Sequence, residues 1–260
     1  RIALAWALGM GNAEIALRLT GALDQFWRVH GHVDEGKTWL EKSLALQVDA
    51  PCAWKAKALI AIGRLDLTVG DTVNVQTSLE QGLKLYQELN DTRGVACALL
   101  NLGNMFHQQA AFEQAKTFYQ ESFTLYQELK DKQGIADSYT NLGELAIDQR
   151  DYEQAKVYLM QGLAHQRELG DRSGIARALR CLAFVTRELQ DYQQAIAYHK
   201  EGLAQLRELE DQRGIAITLN YLGQAALDES NLVQATTYLA ESFTLAQALG
   251  YPLLMYYALA

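Results

Sequence analysis

The sequence predicts an all-α fold, a solenoid of antiparallel helix pairs stacked side by side. Three observations carry that expectation. Displacing the chain by one fixed step lays it on itself: Gly134 falls on Gly94, Gly174 and Gly214, Leu142 on Leu102, Leu182 and Leu222, and Ala155 on Ala115, Ala195 and Ala235. A fixed period of this length marks units that bury their apolar faces only by stacking on neighbours. Within each period the apolar residues recur at helical spacing, as with Ile135, Tyr139, Leu142 and Ala146, then Tyr152, Ala155, Leu159 and Leu163. Finally, proline occurs only at positions 51 and 252, and no alternating apolar run bounded by turns suggests a strand.

Taken in order, Ile2 to Leu8 reads as a short apolar helix ended by Gly9 and Gly11. Asn12 is placed to cap a helix over Ala13 to Val29, and Gly31 separates it from one over Val33 to Leu46. From Pro51 the rhythm is regular, with helices expected near 52–69, 72–89, 92–109, 112–129, 132–149, 152–169, 172–189, 192–209, 212–229 and 232–249. This gives about six repeats, at 12–47, 51–89, 91–129, 131–169, 171–209 and 211–249, followed by a partial terminal helix over 251–260. Asp91, Asp131, Asp171 and Asp211 are placed to cap the first helix of their units. The glycine three residues after each falls in the first helical turn, at a cost of about 1 kcal/mol against alanine. A cost repeated at every unit implies a repeated gain, namely close approach to the preceding unit. Trp54 stands at that place in the unit from Pro51, so packing there must differ. Small residues recur where the helices of a pair cross: Gly103, Gly143, Ala183 and Gly223, and later Gly82, Ser122, Gly162, Gly202 and Ser242.

Composition narrows the function classes. A formal charge of −8 argues against nucleic acid, whose binding rests on neutralising phosphates. No apolar run is long enough to span a membrane, and no signal peptide is legible. Cys52, Cys97 and Cys181 are odd in number and far apart, which points to a reducing, cytoplasmic setting rather than a disulfide framework. The start at Arg1 and the finish inside a helical pattern lead us to expect a piece of a longer protein.

Tyr139, Leu142, Gly143, Ala155 and Gly162, and in the preceding unit Leu99, Leu102, Gly103, Phe106, Ala115 and Ser122, resemble the tetratricopeptide repeat, a helix–turn–helix unit with Leu-Gly and an aromatic in its first helix and small residues in its second. The resemblance implies a right-handed superhelix that binds proteins or peptides in a concave groove. The 40-residue unit is longer than the usual one and is similar to the repeats of kinesin light chains and of bacterial signalling proteins. Thr186 and Ala226 at the aromatic place and Ala183 at the glycine place depart from the pattern. The opening stretch, Ala13 to Leu19 and Phe26-Trp27 through Leu40, resembles the start of the repeat region in bacterial regulators that carry an upstream nucleotide-switch ATPase, which implies a sensor or partner-binding arm.

Catalysis and cofactors are not expected. Gly31 to Thr38 formally matches a phosphate-binding loop, but that loop needs a preceding strand, and here a helix ending in Phe26-Trp27 precedes it. The five histidines, at 30, 32, 107, 165 and 199, form no ligand set and read as surface or turn residues, so no metal is expected. No cysteine or serine stands in a nucleophilic arrangement.

The remaining candidate is the inner face formed by the first helices. Stacking would align Arg64, Asn104, Glu144, Phe184 and Gln224 in one row. Arg180 and Asn220 follow Thr140 in a second row, and Arg177 follows Asp137 in a third. Asn101 and Asn141 precede Leu-Gly, where the resemblance to kinesin-light-chain repeats implies a grip on a peptide backbone. Arg177, Arg180 and Arg187 with Phe184 form a basic-aromatic cluster suited to a carboxylate. Alternatively, Arg177 merely pairs with Asp137 of the neighbouring unit. The expected partner is thus a protein or peptide, without nucleic acid or membrane. Two alternatives stand beside it: a small-molecule effector site controlling an upstream switch, and end-to-end self-association through Tyr251 to Ala260.

Overall fold

The reason these residues fold as helix pairs is visible at every turn. A computed structural model describes residues 1–29, 31–46, 52–70, 74–251 and 255. Among them run α1 (Ile2–Gly9), α2 (Ala13–Val29), α3 (Val33–Leu44), α4 (Ala53–Val69), α5 (Val75–Glu88), α6 (Thr92–Gln108), α7 (Phe112–Glu128), α8 (Lys132–Asp148), α9 (Tyr152–Leu169), α10 (Arg172–Glu188), α11 (Tyr192–Glu208), α12 (Gln212–Asp228) and α13 (Leu232–Ala248). The described residues contain no strand. The fold is an all-α helical-repeat solenoid, and its helices lie within a few residues of those expected.

The expected caps form. Asp91, Asp131, Asp171 and Asp211 accept hydrogen bonds from the backbone N–H of Gly94, Gly134, Gly174 and Gly214 at 2.9–3.1 Å. Asn12 caps α2 in the same way, through Ile15 N–H at 3.0 Å. The second helices use the device too: Asp151, Asp191 and Asn231 each hold the N–H three residues on at 3.2 Å. Only α7, of these later helices, begins without one, at Ala111. The turns close with a left-handed residue, including Asn90, Ala110, Lys130, Arg150, Gln190, Glu210 and Ser230, all with φ of 53–65°. Glycine takes that place at 70, 170 and 250.

The close approach expected at the glycine after each cap is present. A Cβ on Gly94 would lie 2.1 Å from Cδ1 of Tyr86, and one on Gly134 would lie 2.2 Å from Cδ1 of Tyr126. The flat face of each ring occupies the space that any side chain would need. In the later units Gln166 and Leu206 stand in that place. Where serine replaces glycine at the late small position, its hydroxyl crosses to the neighbouring helix: Ser122 donates to Ala96 O, and Ser242 to Ala216 O, both at 2.8 Å.

The chain divides into two compact units, Arg1–Gly134 and Ile135–Ala260, a division that falls in the first turn of α8. In the first, Leu17, Trp27, Leu40 and Leu65 form one core, and Ile60, Leu79, Tyr86, Leu102 and Met105 another. In the second, Leu159, Leu163, Leu179, Leu182 and Val185 pack together, and Leu203, Ile215, Leu219 and Leu222 follow. A fully buried leucine such as Leu159 contributes about 2 kcal/mol. Gly36, Lys37 and Thr38 lie inside α3 rather than in a loop, and Lys37 Nζ pairs with Asp66 at 2.6 Å, so the formal phosphate motif is structural.

Candidate functional site

The side chains expected on the inner face separate into a bonded network and an exposed remainder. In the second unit the network joins α8 to α10. Glu144, one turn beyond Thr140 and Asn141, points toward Arg177. Arg177 Nε donates to Glu144 Oε1 at 2.9 Å, and Nη2 to Oε2 at 2.5 Å, a two-point fork of the strong kind. The same Nη2 reaches Asn141 Oδ1 at 2.7 Å, and Cys181 Sγ donates to Glu144 Oε1 at 3.4 Å. Burial alone would raise the Glu144 carboxyl. The charge and hydrogen bonds of Arg177 more than offset this and hold it below its ordinary value. Burial, then the Glu144 charge, pushes the Cys181 thiol up to about 12.

This network corrects two expectations. Arg177, expected in the basic-aromatic cluster or paired with Asp137, forks onto Glu144 and reaches Asn141, while Asp137 acts on it through charge. Asn141 is 3% exposed with its carbonyl committed, so it is not open to a peptide. Thr140 is fully buried: it donates to Ala136 O and accepts from Gln166 Nε2, both at 3.1 Å, turned toward α9 instead of the face. Asn101, in the first unit, is buried with Nδ2 donating to Cys97 O at 2.7 Å. Asn220 is buried and accepts from Gln224 Nε2 at 3.1 Å. The error is the same in each case. Helical spacing gives a residue's angular position, but these lie at the edge of the apolar stripe, where packing against the next helix covers them.

The remaining residues stay accessible. Asn104 is half-buried and accepts from Tyr119 Oη at 2.8 Å. Asp137, Phe184 and Gln224 are half-buried. Arg187 lies over the Phe184 ring at 5.5 Å from its centroid and pairs with Glu188 at 3.1 Å. Arg180 is exposed and forms no ion pair with a described residue. It shares a pocket of about 330 Å³ with Arg177, Arg213 and Ser173. Arg64, from the first row, is taken up by Asp24.

The sequence reading places His199 at the surface or in a turn, and the structure corrects this. The residue is 8% exposed, within α11, and stacked on Tyr221 with ring centroids 5.3 Å apart. Its Nδ1 has no hydrogen-bond partner among the described residues. Burial, aided by the charges of Arg187 and Arg180, lowers the imidazole to about 4, so it is neutral near pH 7. The repeat carried the signal: the places one period either side of His199 are Leu159 and Leu239. No group of three or more His, Cys, Asp or Glu among the described residues could hold a metal. Nor is any described helix long and apolar enough to cross a membrane.

The model of the tetratricopeptide repeat matches residues 94–168 and 174–248, more than half of the chain. The chain is a tetratricopeptide-repeat protein. No curated protein matches its sequence. Solved structures share the fold. That of BtubC from P. vanneervenii superposes with a TM-score of 0.67 at 16% identity, covering 92% of each chain. A Rap protein complexed with Competence and Sporulation Factor gives 0.73 at 15% identity, covering 94% of this chain and 73% of that one. A signal-transduction ATPase with a tetratricopeptide-repeat sensor, from Pyrococcus horikoshii, gives 0.74 at 13% identity, over 95% of this chain and 37% of that one. At such identities the likeness concerns the fold. Of the segment expected to mediate self-association, Tyr251 and Met255 are described and the others lie outside the described residues.

Proposed function

We propose that this tetratricopeptide-repeat chain is a non-catalytic arm that binds a protein or peptide partner on the face formed by its first helices, within a cytoplasmic signalling or regulatory protein. The supporting observation is the state of the arginines on α10 and α12. Arg177 is fixed by its fork to Glu144, which leaves the two N–H groups of its Nη1 unused in that bonding. Arg180 beside it is exposed and forms no ion pair with a described residue, and Arg213 lines the same pocket. Such a grouping suits a carboxylate on a partner: one rigid guanidinium sets the geometry and a second supplies charge.

The test is affinity selection of displayed peptides on the intact chain, followed by titration of a selected peptide against Arg180→Glu. The variant is expected to fold as the parent does, since Arg180 is exposed. It should weaken binding by about tenfold or more, with the parent's affinity falling as salt rises. Equal affinity in parent and variant would remove this face from the assignment. We also assign the repeat bounds 91–129, 131–169, 171–209 and 211–249 as the interaction units. Partner contacts mapped by exchange protection to the second helices alone would count against them.

A further inference from the structure

Three arginines of the second unit share one pocket, and together they offer more donors than a single carboxylate accepts. Arg177 and Arg180 on α10 and Arg213 in the first turn of α12 line a pocket of about 330 Å³. The fork to Glu144 and the bond to Asn141 leave both N–H groups of Arg177 Nη1 unused. Arg213 donates from Nη2 to Tyr251 Oη at 3.4 Å, and its Nη1 and Nε are not used there. Arg180 is exposed, and the exposed hydroxyl of Ser173 belongs to the same lining. Glu144 balances the charge of Arg177. Asp211, the acidic residue of the lining, accepts from Gly214 N–H at 2.9 Å as the cap of α12. Arg180 and Arg213 thus stand without an ion-pair partner among the described residues.

One guanidinium fork engages both oxygens of a carboxylate. A phosphate monoester brings three oxygens and close to two negative charges at neutral pH. That matches the two unpaired guanidinium groups and the spare donors of the third. The lining also carries Leu206 and Leu209 at the end of α11 and Ile217 on α12. A ligand that fills the pocket therefore has an anionic head and an apolar body. In an extended peptide successive side chains point to opposite faces, so one side chain must supply both parts. The pocket stands at the lower end of the size range for small ligands, which suits one large side chain. Phosphoserine and phosphothreonine carry the phosphate close to the backbone, with no apolar body. Phosphotyrosine carries it at the far end of a ring, and a guanidinium stacks readily on such a ring. Arg213 already makes that contact with Tyr251, its guanidinium carbon 5.0 Å from the ring centroid.

We infer that the pocket between α10 and α12 receives a phosphotyrosine side chain of the partner, its ring against Leu206, Leu209 and Ile217 and its phosphate held by Arg177, Arg180 and Arg213. The assignment rests on partner binding at this face, as proposed above, and names the group that enters it.

Calorimetric titration of the intact chain with an acetylated, amidated pentapeptide, Ala-Ala-phosphotyrosine-Ala-Ala, tests it. Saturable one-site binding is expected, with Kd below about 1 mM. The same peptide with tyrosine, phosphoserine or glutamate at its centre should bind at least about tenfold more weakly. Arg180→Gln and Leu209→Ala change exposed side chains and are expected to fold. Arg180→Gln should weaken the phosphotyrosine peptide about tenfold, and Leu209→Ala should narrow its advantage over the phosphoserine peptide. No saturable binding by the parent overturns the inference, as does equal affinity for the phosphoserine peptide or undiminished binding by Arg180→Gln. Phenyl phosphate that binds about tenfold more tightly than the peptide would overturn it in favour of a free small molecule. The two proposals fail separately. A displayed peptide that depends on Arg180 but is not displaced by the phosphotyrosine peptide removes this inference and leaves the binding face in place. A displayed peptide indifferent to Arg180→Glu removes the face itself.

Discussion

His199 shows how much one residue changes when a repeat is broken. At its place in the flanking units stands a leucine, fully buried at 159 and half-buried at 239, and here an imidazole is held neutral in the same position. Its ordinary value is 6.5 and its folded value about 4, so between these the unfolded chain takes up a proton that the folded chain refuses. Stability should therefore rise with pH through this window, reach its full value above about pH 6.5, and be depressed below pH 4. At pH 5 the loss attributable to His199 is about 2 kcal/mol relative to pH 8. Urea unfolding of the parent and His199→Leu at both values checks this. The difference between the two proteins should widen on acidification, and a constant difference would show that the imidazole is not the titrating group.

Helices are limited here less by their interiors than by their ends. The pattern of an aspartate or asparagine cap followed three residues later by its N–H partner recurs through the later units, and α7 departs from it at Ala111. The residue before it, Ala110, is held at φ 57°, a region that disfavours side chains with a Cβ. Two substitutions should therefore stabilise the protein without touching its face. Ala111→Asp should add about 1 kcal/mol by capping α7. Ala110→Gly should add about 0.5–1 kcal/mol by relieving the left-handed backbone. Denaturant midpoints should move upward with unchanged slopes, and the effects should sum less than perfectly because the residues are adjacent.

Within each unit, helices touch mainly their sequence neighbours, as α9 does α10, α10 does α11, and α12 does α13. Stability in such a stack is the sum of local terms and nearest-neighbour contacts, so damage stays local. Leu159→Ala empties a fully buried place and should cost about 2–4 kcal/mol. Hydrogen exchange should show protection lost first in α9 and α10, with α12 and α13 retaining more of theirs. Uniform loss across the second unit would indicate a single cooperative body. The acidic charge of −8 belongs to this scale as well: it favours basic ligands at long range and keeps copies apart at low salt.

The repeat period, the helix bounds, the capping aspartates and the glycine contacts were legible in the chain, because each depends on local spacing repeated many times. A repeated pattern averages away the ambiguity of any one segment. Which residues of the face proposed for binding lie open was legible only in part. Arg180 and Arg187 remain accessible, whereas Asn101, Thr140, Asn141 and Asn220 are buried. Residues at the border of an apolar stripe are covered or uncovered according to how the neighbouring helix lies, and that angle has no local code. Tertiary structure likewise decided that Arg177 forks onto Glu144 and that His199 lies beneath a cleft. Both arise from side chains on different helices, far apart in the chain and brought together by the stack. The stacking period names such pairs only once the packing between helices is known.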